Sequence, residues 1–452
     1  MFGAFGAGAL GFGDVGEQGQ AAGVATGASP AAPPIPGLAG AGYLTSATAL
    51  QLERVPPRLV VLGASAVGLE LGQFFLHAGA EVTFLDIADR IAPFEEPEVS
   101  QALAGVLTDQ GAVIHAGARA LEVRRDGGQV RVSARADGRE LAITAEEILV
   151  ATGRRPNTGG LGLDAAGVAT GPRGEVTVDA ELRTANPKVL AAGDVTGAPQ
   201  FVYAAAYSGA PPPATRRSRH QRVDLTGLPR VIFTAPQVAA AGLTEAEARA
   251  AGHDVAVSVL GLDAVPRALV NQDTRSVIKL VAEAASGRLL GASVVADGAG
   301  DVIQSAVLAV RHGITVTELA ATFHPYLTMA EGIKLAARRA SAATSASCPA
   351  ARHSRAALLT ARAGRARPGA SPSVRGRAIV SARPGRAAAR RPAARPMKGS
   401  LPPPGAPRLT AVVLAWPGVT RSTAAVGGAP VRNASRPWPG SPSGTPPPGW
   451  AS

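Results

Sequence analysis

Apolar and polar positions fall into two periods along the first half of the chain. "RLVVLG", from Arg58 to Gly63, is a continuous apolar run closed by glycine, the pattern of a buried strand. Residues 67–78 read as a helix that stops at Gly79, and "EVTFLD" is the next strand. Residues 95–110 read as a second helix and "AVIHAG" as a third strand. The period then shortens to two. "ALEVRRDGGQVRVSARADGRELAIT" alternates about turns at Asp126-Gly127-Gly128 and Asp137-Gly138, which predicts a β-meander, followed by the strand "EEILVATG". "KVLAAGDV" runs from strand into a glycine turn. Beyond residue 228, "RVIFT", "SVIKLVAEA" and "LLGASVVAD" read as strands, with "DVIQSAVLAVRHG" and "MAEGIKLAARR" as helices. Upstream, "AAGVATGASPAAPPIPGL" is a short strand-like piece followed by a proline-rich connection.

Three stretches lack this texture. Residues 1–20 are rich in Gly and Ala and are expected to be unstructured. Their formal G-x-G-x-x-G (Gly6, Gly8, Gly11) has too little chain before it to supply a strand. Residues 211–222, "PPPATRRSRHQR", interrupt a helix beginning near Val202, and a proline inside a helix costs ~3 kcal/mol or more. Residues 338–452 are Ala/Arg/Pro/Ser/Gly-rich and are expected to form a disordered basic tail. The abruptness of the three changes reads as sequence translated out of frame.

Composition alters the picture in two respects. The formal charge of +12 belongs to the tail, which has no Asp or Glu and holds 19 of the 45 Lys and Arg; the first 337 residues carry 26 basic and 33 acidic side chains, a balance of −7. Nucleic acid is therefore not expected as a partner of the body. Cys348 is the only cysteine, so this sequence holds no intramolecular disulfide, CxxC pair or thiolate zinc site, and no metal ligands are assigned. No apolar run is long enough to span a membrane, and a cytoplasmic location is expected.

The candidate chemistry begins at Gly63-Ala64-Ser65-Ala66-Val67-Gly68, a G-x-S-x-x-G between strand and helix. A pyrophosphate at a helix N-terminus needs a tight turn, close backbone approach and a small residue where helix meets strand, and serine is small enough for the middle position. Asp86, at the end of the next strand, is placed to take a ribose 2′-hydroxyl, which favours NADH over NADPH. The bland alternatives are a ligand-free structural turn and a solvated strand-end acid. "ATGRRPNT" and "AAGDV" end strands in small residues. Gly153 permits close approach there, and Asp194 either meets polyol hydroxyls or forms an Asx-turn.

Six phrases in order, "VATGASPAAPPIPG", "VVLGASAVGLE", "VATGRRPNT", "VLAAGDVTGAPQFVY", "FTAPQVAAAGLTE" and "FHPYLTMAEGIKLAA", resemble the flavin- and pyridine-nucleotide-dependent disulfide reductases, most closely their mercuric-reductase branch. The resemblance covers residues 21–337 except 211–222. It implies an α/β fold: Rossmann-type FAD- and NAD(P)-binding domains, the FAD part incomplete, plus an α+β dimerisation domain. The expected boundaries are 21–57 for an FAD-domain remnant, 58–150 for the NAD(P)H domain, 151–227 for the second FAD part, and 228–337 for dimerisation. The resemblance further implies FAD and NADH or NADPH as cofactors, a homodimer, and hydride passing to flavin and then to Hg(II) or another small-molecule substrate.

By the same resemblance, Gly63, Ser65 and Gly68 hold the pyrophosphate, Glu70 lies near the nicotinamide, Asp86 at the adenosine ribose and Gly153 against the nucleotide. Thr26 and Gly27 touch FAD, Asp194 its ribityl chain, and Gln200 and Phe201 open a helix facing the flavin ring. Tyr326, with Glu331 as its acidic companion, lines the partner subunit's substrate site, while His324 reads as a plain surface or interface residue. The first FAD fingerprint and the redox-cysteine pairs of the family are absent from this sequence, so the chain is expected to be N-terminally truncated and impaired in Hg(II) reduction. A dihydrolipoamide-dehydrogenase-like, diaphorase or NADH-oxidase flavoprotein and a non-enzymatic NAD-binding remnant remain as alternatives.

Overall fold

The computed structural model describes residues 11–13, 21–197, 199–209 and 222–347. In chain order its strands are β1 (Gly11–Gly13), β2 (Ala21–Val24), β3 (Ala28–Pro30), β4 (Arg58–Leu62), β5 (Glu81–Leu85), β6 (Val113–His115), β7 (Arg119–Asp126), β8 (Gln129–Ala136), β9 (Arg139–Ala145), β10 (Glu147–Val150), β11 (Arg154–Pro156), β12 (Val189–Ala191), β13 (Pro229–Ile232), β14 (Gln237–Gly242), β15 (Val255–Gly261), β16 (Val277–Glu283) and β17 (Leu289–Ala296).

A parallel sheet of order β10-β4-β5-β6 positions the site. Helix Ala66–His77 connects β4 to β5, and helix Pro97–Asp109 connects β5 to β6. The chain then returns through the antiparallel meander β7-β8-β9 and lays β10 on the other side of β4. Strand order thus reverses between β4 and β10, which opens a crevice beyond their carboxyl ends. β4 is apolar from Leu59 to Leu62 because both its faces are covered there. Leu59 and Val61 pack with Leu69, Phe75, Phe84 and Leu103, while Val60 and Leu62 pack with Val130, Val132 and Ile148. Gly72 lets the helix press onto β5, since a Cβ there would lie 2.4 Å from the Phe84 ring.

β2 pairs in parallel with β12, and β3 pairs antiparallel with β11, bringing the segments around residues 26 and 157 together. The C-terminal sheet is antiparallel, in order β13-β14-β17-β16-β15. All of β17 is buried. One core sets Leu280 and Val294 against Ala306, Ile333 and Ala336, while Ile232, Val238 and Val295 join the cluster around Leu59 and Phe84. The two sheets therefore share apolar packing.

Two expectations are corrected. Gly11–Gly13 is not patternless chain but an edge strand antiparallel to β2; ladder hydrogen bonds come from the backbone and need no alternating side chains. Structure also does not stop at residue 338. Helix Glu331–Ser347 runs on, because its alanines favour helix and Ala336, Ala337 and Ala340 are fully buried. The rest of the expected tail, the interruption at 211–221 and most of the first 20 residues lie outside the described residues.

Candidate functional site

A cavity of about 970 Å³ occupies the crevice between β4 and β10. The turn after β4, the turn after β5, residues 150–154 and the proline-rich loop 30–36 line it, together with Gln200. Gly63 has φ +98°, and a Cβ on it would lie 2.5 Å from the Ala151 carbonyl oxygen. A Cβ on Gly68 would lie 1.9 Å from the Gly63 carbonyl oxygen. Both obstacles are backbone, so neither glycine tolerates a side chain without moving the turn. Ser65 caps helix Ala66–His77 by position, yet its hydroxyl makes no capping bond. Ser65, Ala66 and Val67 line the cavity, so the helix N-terminus opens onto it with its positive dipole end.

Asp86 also lines this cavity, but its carboxylate already has backbone partners. Oδ2 accepts the Ala64 N–H at 2.5 Å and Oδ1 the Ala88 N–H at 2.8 Å. Its first task is to tie the end of β5 to the turn after β4. The lone pairs left on an ionised carboxylate still accept hydroxyl groups. Gly153 lines the cavity with φ +118° and open space where a Cβ would stand. Thr152 donates its hydroxyl to the Ala31 carbonyl at 2.8 Å, and the Gly153 carbonyl accepts the Ala31 N–H at 3.0 Å. Those bonds hold the proline-rich wall in place.

The structure therefore brings Gly63, Ser65, Asp86, Gly153 and Gln200 onto one cavity, with Gly68 packed behind it. Other sequence-derived residues stand elsewhere. Thr26 donates its hydroxyl to the Asn157 carbonyl at 2.7 Å, and the Gly27 carbonyl accepts the Asn157 N–H at 2.9 Å. Asp194 lies 3.4 Å from Arg154, whose guanidinium also donates to the Ala28 carbonyl. Phe201 stacks on Tyr203, ring centroids 5.2 Å apart. Tyr203 donates to the Pro229 carbonyl at 2.5 Å, and burial pushes its pKa up to about 12. Glu70 accepts the Phe233 N–H at 2.8 Å; burial raises its carboxyl above the usual range, against the lowering effect of that bond. Tyr326 is 75% exposed, and Glu331 accepts the Leu327 N–H at 3.4 Å.

The lining suits a dinucleotide, judged by the uncapped helix N-terminus that opens onto the cavity and by the open space beside Gly153. The flavin residues do not make a comparable site: Thr26, Gly27 and Asp194 line neither described cavity and have protein partners for their polar groups. Sequence reasoning missed Arg119 and Arg154 on the cavity wall. Arg119 opens a meander strand, and nothing in a local pattern separates it from a solvated strand arginine. Among the described residues, no group of three or more His, Cys, Asp and Glu gathers as a metal would require. No described helix is long and apolar enough to cross a membrane.

Residues 20–209 match the model of the pyridine nucleotide-disulphide oxidoreductase family, and residues 228–337 match its dimerisation domain. A mercuric reductase of Bacillus cereus is 49% identical over 303 residues, which cover 66% of this chain and 48% of that protein. One of Streptomyces lividans is 47% identical, covering 67% and 64%. Of solved structures, the HOCl-induced flavoprotein disulfide reductase RclA from Escherichia coli aligns with a TM-score of 0.64 at 30% identity, over 70% of this chain and 72% of that one. LpdA from Mycobacterium tuberculosis aligns with a TM-score of 0.62 at 30% identity, covering 70% and 69%. The chain spans about half the length of the curated relatives it matches.

Proposed function

Since the chain belongs to the pyridine nucleotide-disulphide oxidoreductase family, which is FAD- and NAD(P)H-dependent, we propose that it is a flavin-dependent NAD(P)H oxidoreductase of the mercuric-reductase kind, acting as a cytoplasmic homodimer. The observation that carries this reading is the glycine turn closing on backbone at the mouth of a cavity of about 970 Å³. When bound, NAD(P)H supplies a hydride and FAD accepts it. The work of this chain's residues is binding and orientation. Gly63 and Gly68 keep the turn tight, with the Gly63 and Ala64 N–H groups tied to the Leu85 carbonyl and to Asp86, so that the helix N-terminus at Ser65, Ala66 and Val67 faces the pyrophosphate, and Asp86 fixes that turn while accepting a ribose hydroxyl. Gly153 leaves room for the nucleotide, and Glu70 stands on the same helix for the nicotinamide end. Thr26, Gly27, Asp194, Gln200 and Phe201 are the flavin contacts by family position. Of these, Thr26, Gly27 and Asp194 already have protein partners, which favours weak flavin retention in this chain. Tyr326 and Glu331 serve the partner subunit's substrate site.

Mercury(II) reduction draws on soft thiolates for a soft metal ion, and this sequence offers Cys348 alone. The single cysteine supports a second reading, a diaphorase that passes electrons to a quinone or oxygen without thiols. Visible absorbance of the purified chain, followed by NADH oxidation with added FAD and either a quinone or Hg(II), tests both. Little retained flavin and quinone-dependent turnover exceeding Hg(II)-dependent turnover are expected. Stoichiometric tight flavin overturns weak retention, and Hg(II)-dependent turnover at least as fast as quinone turnover overturns the impairment. No NADH consumption with any acceptor leaves a non-enzymatic nucleotide-binding remnant.

A further inference from the structure

Three charged side chains line the cavity: Asp86, Arg154 and Arg119. Two are engaged within the protein. Asp86 holds the N–H groups of Ala64 and Ala88, and Arg154 reaches Asp194 and the Ala28 carbonyl. Arg119 is exposed, and among the described residues its guanidinium has no hydrogen-bond or ion-pair partner. Its strand neighbour in register is Arg135, which turns instead to Glu140 at 3.4 Å. An unpaired guanidinium on a ligand cavity awaits an anion from the ligand.

Its place in the fold says which anion. The Ala118 N–H donates to the Asp86 carbonyl at 2.7 Å and the Gly117 N–H to the Ala88 carbonyl at 2.6 Å. Arg119 is thereby seated beside Asp86, the residue that follows β5, where the adenosine ribose is held in sheets of this kind. The pyrophosphate position is the helix N-terminus on the other side of Asp86, already supplied with N–H donors. We propose that Arg119 is the specificity-determining residue that receives the 2′-phosphate of NADP(H), offsetting Asp86 so that the cavity takes both nucleotides. This assignment rests on the cavity being the nucleotide site. It departs from the sequence-based expectation that Asp86 alone selects NADH.

The full chain is titrated by calorimetry with NAD⁺, NADP⁺ and 2′-phospho-ADP-ribose, as wild type, Arg119→Ala and Arg119→Lys. The wild type is expected to bind NAD⁺ and NADP⁺ within about tenfold of each other, a gap of one charge-assisted contact or less. Arg119→Ala is expected to weaken both 2′-phosphorylated ligands at least about tenfold. It leaves NAD⁺ within about twofold, which also certifies that the variant is folded, and Arg119→Lys recovers part of the loss. Unchanged NADP⁺ affinity in Arg119→Ala overturns the assignment while leaving the nucleotide site intact, as does a wild type that binds NAD⁺ but not NADP⁺. If neither nucleotide binds the wild type, the site itself is wrong and Arg119 falls with it.

Discussion

Gly68 and Glu70 sit two positions apart on one helix and answer to different forces. Gly68 is a steric requirement. Its Cβ would lie 1.9 Å from the Gly63 carbonyl oxygen, so Gly68→Ala pushes the helix from the turn. Overpacking of this sort costs about 1–3 kcal/mol. The expected outcome is a lower melting temperature together with loss of saturable NADH binding, read by calorimetry. Glu70 is an electrostatic matter. Burial raises its carboxyl above the unfolded value, so the folded state binds this proton more tightly than the unfolded one. The penalty is full above the folded pKa and disappears as pH falls below the unfolded value. Glu70→Gln keeps an acceptor for the Phe233 N–H and removes the penalty. It is expected to raise the melting temperature near neutral pH, the gain shrinking to nothing under acid, as thermal melts across pH will record.

Between elements, one lysine ties the parallel-sheet region to the C-terminal sheet. Lys279 of β16 is 2% exposed and meets Glu96, Glu98 and Glu245 at 2.9–3.0 Å. Burial opposes its charge, but the hydrogen bonds it donates to the three carboxylates outweigh this and hold its pKa above the ordinary value. That stabilisation is present throughout the range below the unfolded lysine pKa and is lost only as pH climbs through the raised folded one. The hydrogen bond from Lys279 lowers Glu245, whose contribution is lost as pH falls through its folded value. Lys279→Met leaves Glu96 buried without its cation and is expected to cost about 3–5 kcal/mol in chemical denaturation, with Glu96→Gln added to it restoring part. This pair lies 183 positions apart, so no spacing rule exposes it. By contrast, the glycine turn, the meander turns and β17 were legible because their causes are local: a left-handed backbone at Gly63, Gly127 and Gly138, or an apolar run broken only by Ser293. β14 was not, since three alanines carry little strand signal. Arg119 was not either, because what singles it out is the absence of a partner.

At the largest scale, the described residues join the parallel sheet that bears the cavity to an antiparallel sheet through a shared apolar cluster and through the Lys279 and Arg230 ion pairs. Glu95, opposite Arg230, is raised by burial and lowered by the arginine. The described parts depend on each other, and unfolding is expected to be one cooperative transition, so that circular dichroism and scanning calorimetry melts coincide. Thr26, Gly27 and Asp194 have protein partners, while the N-terminus of helix Ala66–His77 has no side-chain cap and opens onto the cavity. The most direct measurement is a calorimetric titration of the full chain with NADH in the absence of flavin. Saturable binding of one NADH per chain, abolished in Gly68→Ala, is the predicted result. A wild-type chain that is folded by circular dichroism yet gives no saturable heat contradicts the account.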